Sequence, residues 1–374
     1  MSDVFYPSLT IFFVLLCLLI LLVDRLSDRV MKVLFWVVLL GFSIFLGLRP
    51  EKVPDFLSYE VIFDKIGYWK DYHINLFERE LETSCEYGFI YLVILFKAVF
   101  GENFRLLIFL IAVITLFMTS FFMGKIVDYL SGTEENHAKN QLMVLLLYAP
   151  YYGMYYQGIT IRAAISMSFI TAAFYFALKN KWLRTLLLLF LGFTFHRMTV
   201  IGLMIIVLYK LFFPLSRRFY QAAGIIMLGW AVFYDAFGNR FASIIYGMMN
   251  ALFNKVFTLL NYTSYLDKAD ATRIFDKKRL FLLAVFCLLA IICENTERIA
   301  KLMNLMFIGC VAIVVTLNIV GSERIFDYFM IYSVPAIATA KKDDKNPAIY
   351  NIFMAGFMIL SYIIAVRVWL YPAN

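Results

Sequence analysis

Apolar runs long enough to cross a bilayer recur from one end of this chain to the other. A spanning helix needs about 20 predominantly apolar residues. In lipid every backbone N–H and C=O must find its partner within the protein, so runs of this kind can only be helices. Composition agrees: 63% of the 374 residues are apolar and 16% charged, where a soluble domain carries about 25% charged residues. The expected fold is all-α, a single integral membrane bundle over residues 1–374 with no soluble domain. It should have about 11–13 membrane segments, short or re-entrant helices included.

The net charge of +8 suits cytoplasmic loops beside anionic lipid. No long basic run or basic amphipathic arm points to nucleic acid. Cys17, Cys287, Cys293 and Cys310 lie in apolar segments and Cys85 stands alone in a loop, a pattern that gives neither a disulfide framework nor a zinc site. The first apolar run, residues 9–23, has no basic leader and no small-residue cleavage site, and reads as a retained helix.

Helices are expected at about 7–23, 33–48, 104–123, 141–157, 161–178, 219–237, 279–293, 299–320, 325–340 and 348–370. Residues 87–100 are apolar but short, so they re-enter or lie at the interface. Two extracytoplasmic segments are expected, 49–86 and 238–278, the second holding an amphipathic stretch at 241–260. Loops rich in Lys and Arg stay in the cytoplasm. Counting sides from the basic turns puts 49–86, 149–162, 195–198 and 321–324 outside.

The stretch 185–209 is the most informative. Lys179, Lys181 and Arg184 flank it on one side, and Lys210, Arg217 and Arg218 on the other. With both ends inside, the chain must turn round between them, and Phe195–His196–Arg197 is the turning point. Ionisable groups at membrane depth line cavities and act on something.

Arg49, Arg162, Arg197, Arg324 and Arg273 all fall at the expected outer face. An arginine near lipid depth costs about 2.5–3.5 kcal/mol on insertion scales. A guanidinium binds phosphate oxygens in pairs, so this recurrence fits a lipid diphosphate head group. Asp55, Glu60, Glu86 and Glu323 lie on the same side and suit a base or sugar hydroxyls. Tyr59, Tyr87 and the tyrosines of 148–156 suit stacking on sugar rings.

Each of these has a plainer reading. The tyrosines anchor helices at an interface. Arg162 snorkels to lipid phosphate, and Arg324 pairs with Glu323 or Asp327. His196 is a neutral core histidine, and the acidic residues of 51–86 are mostly a solvated face. His137 sits in a polar loop and is expected to be inert. The chain has no DxD, no HExxH and no Cys–His spacing, hence no metal signature.

The order Leu48–Arg49, Asp55, Tyr59, then Glu86–Tyr87–Gly88–Phe89 resembles the start of the EpsG-type branch of Wzy polysaccharide polymerases. Gln157–Gly158–Ile159–Thr160–Ile161–Arg162–Ala163 is similar to that family's arginine-led helix. Phe193–Thr194–Phe195–His196 is similar to its Phe-His turn, and Arg324–Ile325–Phe326–Asp327–Tyr328 to its late arginine–tyrosine helix start. The likeness runs over most of the chain. It departs at Pro54, where the family often has glycine, and at Ala163, where it often has glutamine.

The resemblance implies a GT-C-like fold in the bacterial inner membrane with its active site facing the periplasm. It implies that undecaprenyl-diphosphate-linked repeat units are polymerised with release of undecaprenyl diphosphate. No cofactor or metal is implied. The expected partners are the lipid-linked donor and acceptor, membrane lipids and a chain-length regulator protein. On this reading Arg162, Arg197, Arg324 and Arg49 bind the diphosphate. His196, Glu86 and Asp55 are the candidates for the catalytic base. Tyr59, Tyr152, Tyr156 and Tyr328 contact sugars. Arg197 beside His196 favours the neutral, proton-accepting imidazole. An O-antigen-type ligase needs only a different acceptor. A lipid-linked oligosaccharide flippase would show repeats and charges along a central path, and this chain has neither.

Overall fold

The computed structural model describes residues 2–67, 85–132, 137–231, 277–293, 296–315, 322–343 and 347–370. Among these the chain is helical throughout and contains no strand. Five helices are long and apolar enough to cross a membrane: Val4–Arg25, Asp28–Gly47, Phe104–Ser131, Ile161–Leu178 and Tyr350–Leu370. Outward faces such as Trp182, Leu183, Leu186, Leu187 and Phe190 are exposed and apolar, as lipid contact requires. Contacts divide the chain into two compact units, Met1–Leu203 with Asp344–Asn374, and Met204–Asp343.

In the first unit α1 (Ser2–Leu22) and α2 (Asp28–Gly47) precede α3 (Phe56–Lys65) and α4 (Tyr87–Phe100). Then come α5 (Phe104–Ser131), α6 (His137–Tyr148), α7 (Ile161–Leu178) and α8 (Trp182–Phe195), and α15 (Pro347–Leu370) returns to pack on α1. Local chemistry sets the boundaries. Asn103 caps α5 by accepting the Leu106 amide at 3.0 Å, and Gly132 closes the same helix at a left-handed φ of 72°. Phe56 and Phe63 of α3 pack with Phe89 and Phe96 of α4, Phe104 of α5 and Ile161 of α7. This cluster anchors the short third helix against three longer ones.

Several expectations need correcting. Helix α5 runs to Ser131, two turns past the expected end near 123. Its extra turns are held by Asp128, which accepts from Asn140 Nδ2 at 2.6 Å and lies 2.8 Å from His137 Nδ1. His137 lies at the start of α6, in place of the expected polar loop, and ties the end of α5 to it. The helix expected at 141–157 begins at His137, and past Tyr148 it widens into a π-helix over Ala149–Gln157. Tyr148 and Gln157 bridge this wide segment side chain to side chain at 3.2 Å, and Gln157 Nε2 donates on to Thr115 at 3.4 Å. Trp369 Nε1 donates to the Met154 carbonyl at 3.1 Å. Trp369 thus supplies a partner to irregular backbone inside the bundle.

Helix α9 (Thr199–Leu211) carries the chain into the second unit, which holds α10 (residues 217–231), α11 (Lys277–Ile292), α12 (Glu297–Val315), α13 (Ser322–Met330) and α14 (Ser333–Asp343). Tyr220 donates to the Ala300 carbonyl at 2.8 Å and pairs with Asn304 at 2.6 Å, fixing α10 on α12. Arg217 caps α11 through the Ala290 and Ile291 carbonyls. The helix expected at 325–340 is two helices, broken at Ile331–Tyr332. Pro335 has no N–H to give the Ile331 carbonyl, and Val334 donates to that carbonyl instead at 3.1 Å. The stretch 241–260 and Arg273 lie outside the described residues.

Candidate active site

Glu86 immediately precedes α4, in extended backbone at the N-cap position, and is 3% exposed. A carboxylate buried this deeply needs compensating charge. Arg162, the second residue of α7, supplies it: Nη1 donates to Oε2 at 2.5 Å. The other carboxylate oxygen faces His196 Nδ1 at 3.5 Å, within ion-pair range and longer than a formed hydrogen bond. One carboxylate thus joins the start of α4, the start of α7 and the end of α8.

His196 stands where α8 stops. Its amide still bonds to the Gly192 carbonyl at 3.0 Å, but its own backbone is extended, and the helix resumes at Thr199. The break falls at the expected turning point, and Arg197 within it is buried. α8 and α9 are each too short to span alone.

Tyr59 of α3 covers Arg162, whose guanidinium carbon lies 5.8 Å from the ring centre. The Tyr59 hydroxyl accepts a hydrogen bond from that guanidinium. Burial pushes the Tyr59 hydroxyl up, above its usual 10.0, so it stays protonated at neutral pH. Arg49, fully buried, also lies near Tyr59. Its Nη1 donates to the Leu46 carbonyl at the end of α2 at 3.0 Å, and its guanidinium lies 5.1 Å from the Phe56 ring centre. Nε and Nη2 are buried without a hydrogen-bond partner. Burial lowers its pKa to about 9, with the nearby Tyr59 and Asp55 opposing the shift, so the charge persists at neutral pH. Arg105, which sequence reading passed over, donates to the Arg49 carbonyl at 3.0 Å and stands over the same Phe56 ring at 5.0 Å.

Asp55 occupies the N-cap position of α3 without a side-chain cap bond, in a left-handed conformation, φ 63°, unusual for a residue with a side chain. It lies near Arg49 electrostatically without forming an ion pair among the described contacts. Tyr152 and Tyr156 stack with centroids 6.4 Å apart inside the π-helix, both 1% exposed. In the second unit Arg324 lies in the first turn of α13, and its side chain is outside the described residues. Tyr328 is buried. Asp327, fully buried, holds Lys278 Nζ at 2.8 Å. Lys278 had no place in the sequence reading, because a lysine at the start of an apolar run looks like an ordinary flank. No cluster of three or more metal-ligating side chains occurs among the described residues.

The first unit therefore brings together Glu86, Arg162, His196 and Tyr59, with Arg49 near Tyr59. The EpsG family model matches residues 32–373, nearly the whole chain. No curated protein and no solved structure matches it.

Proposed function

The chain belongs to the EpsG family of polysaccharide polymerases, and on that premise we propose that it joins oligosaccharide repeat units carried on undecaprenyl diphosphate. The work is done at the periplasmic face of the inner membrane, in the manner of a metal-independent GT-C-type glycosyltransferase. The observation that carries this reading is the Glu86 carboxylate shared between Arg162 and His196.

An acceptor hydroxyl oxygen attacks the anomeric carbon of the donor's reducing-end sugar. The bond from that carbon to the diphosphate oxygen breaks, and undecaprenyl diphosphate leaves with the electron pair. His196 takes the hydroxyl proton at Nε2, a contribution of about 10²–10⁴ in rate. Glu86 faces Nδ1, fixes the ring and offsets the imidazolium charge, as the carboxylate of a catalytic triad does. Arg162 sets the Glu86 carboxylate. This makes it a positioning residue, a role different from the diphosphate contact expected from sequence. Arg197 beside the base and Arg49 with its unsatisfied donors hold the leaving diphosphate. Because Arg49 is fully buried against Phe56, this role requires the start of α3 to move aside when donor enters. Asp55 and Tyr59 then line the donor's path. A chain-length regulator is the expected partner protein.

The test is the glycan profile of a deletion strain complemented with the wild-type chain. A ladder that collapses to one repeat unit on lipid and is restored by the chain supports polymerisation. Loss of all surface glycan with cytoplasm-facing intermediates would instead make it a flippase. Purified protein that acts only when a foreign acceptor is added would make it a ligase.

A further inference from the structure

The contact between His196 and Glu86 joins two pieces of backbone that have no covalent reason to meet, and a glycine stands where they do. Gly88 lies in the first turn of α4, two residues after Glu86. A Cβ on Gly88 would come within 2.6 Å of the carbonyl oxygen of Thr194, two residues before His196, and within 2.6 Å of its Oγ1. The first is main chain, and Thr194 Oγ1 is committed to the Leu191 carbonyl at 2.7 Å, so neither can yield without moving the end of α8.

A second hold acts from α7. Ser166 lies one turn after Arg162, on the same helix face. Its Oγ is 2.6 Å from Thr199 Oγ1, both groups buried. Thr199 Oγ1 donates in turn to the His196 carbonyl at 2.7 Å. Gly192 leaves the room this needs, since a Cβ there would press on Thr199 Cγ2 at 3.0 Å. α7 thus grips both partners of the pair, Glu86 through Arg162 and the His196 backbone through Ser166 and Thr199.

We propose that Gly88 and Ser166 are positioning residues for the reaction, setting the distance between the Glu86 carboxylate and the His196 ring. The proposal rests on the reading of His196 as base and Glu86 as its partner. A displacement of about 1 Å at a catalytic group costs on the order of 10²-fold in rate, so Gly88→Ala lowers turnover by about that factor and leaves KM for the lipid-linked donor nearly unchanged. Ser166→Ala removes one buried hydrogen bond and lowers turnover about threefold to tenfold, and Ser166→Thr, which restores a hydroxyl, recovers part of it.

The experiment is a double-mutant cycle on purified full-length protein, with turnover and KM measured for Gly88→Ala, Ser166→Ala, Glu86→Gln and both pairwise combinations with Glu86→Gln. The expected result is strong non-additivity: once Glu86 no longer carries a carboxylate, loss of Gly88 or Ser166 changes turnover little further. Equal losses with and without the Glu86 carboxylate would make both residues simple packing positions and overturn the proposal. If Gly88→Ala does not fold, the Ser166 arm of the cycle decides alone. Wild-type turnover in Glu86→Gln itself would be a different failure, overturning the proposed mechanism and the positioning role with it.

Discussion

Arg162 Nη1 and Glu86 Oε2 lie 2.5 Å apart although 76 positions separate them in sequence, and both side chains are largely buried. Breaking a buried ion pair from one side leaves an uncompensated charge and costs about 3–5 kcal/mol, while replacing both partners costs far less. Glu86→Gln and Arg162→Gln should each lower the unfolding midpoint of detergent-purified protein, and the double variant should recover much of the loss. Arg162→Lys should also lose activity, because an ammonium cannot hold the carboxylate plane as a guanidinium does. Full activity in Arg162→Lys would reduce Arg162 to a generic charge.

Arg49 gives a prediction of opposite sign for stability and function. Its Nε and Nη2 are buried without partners, and an unsatisfied buried donor costs about 1–3 kcal/mol. Arg49→Met should therefore raise the unfolding midpoint while lowering polymer formation, the usual exchange at a functional site. A variant that loses stability and keeps activity would make Arg49 a cap for the end of α2.

In the second unit, Lys278→Met removes the ammonium that lies 2.8 Å from the fully buried Asp327 carboxylate. The expected cost is about 3–5 kcal/mol, relieved in Lys278→Met combined with Asp327→Leu. Thermal unfolding of the three variants checks this. Additive losses would show that the pair is not coupled.

Tyr59 predicts an alkaline effect. Its folded-state pKa is raised above 10.0 by burial. Above pH 10 the unfolded chain releases this proton while the folded chain keeps it, so the unfolded state binds fewer protons and stability falls as pH rises. Below pH 10 the contribution is fully present. Tyr59→Phe removes it, so the stability difference between wild type and Tyr59→Phe should shift in the variant's favour between pH 9 and pH 11. A difference constant across that range would place the Tyr59 hydroxyl in solvent.

Much of the bundle is legible in the sequence because each helix is a local apolar run. Ile161–Leu178 begins and ends where expected, and the helix breaks at His196, the position expected from the two basic flanks. What the sequence hides is anything that depends on a wider turn or a distant partner. The π-helix at Ala149–Gln157 has no hydrophobic period of its own, being buried on all sides. Glu86 is visible as a carboxylate in an acidic stretch, but only folding selects it over Asp55 and Glu60 as the one facing His196. Ser166 and Thr199 read as neutral residues of apolar helices, and their hydroxyl contact appears only when α7 meets the chain after α8. Asp327 is visible in the motif that opens α13, whereas its partner Lys278 lies on α11, and nothing local connects them.

The central claim is that His196 accepts the proton of the attacking hydroxyl, and the most direct measurement is polymer formation by purified His196→Ala supplied with lipid-linked repeat units. Turnover should fall by about 10²–10⁴-fold with the amount of folded protein and donor binding unchanged. Polymer of wild-type length and rate from that variant would contradict the account.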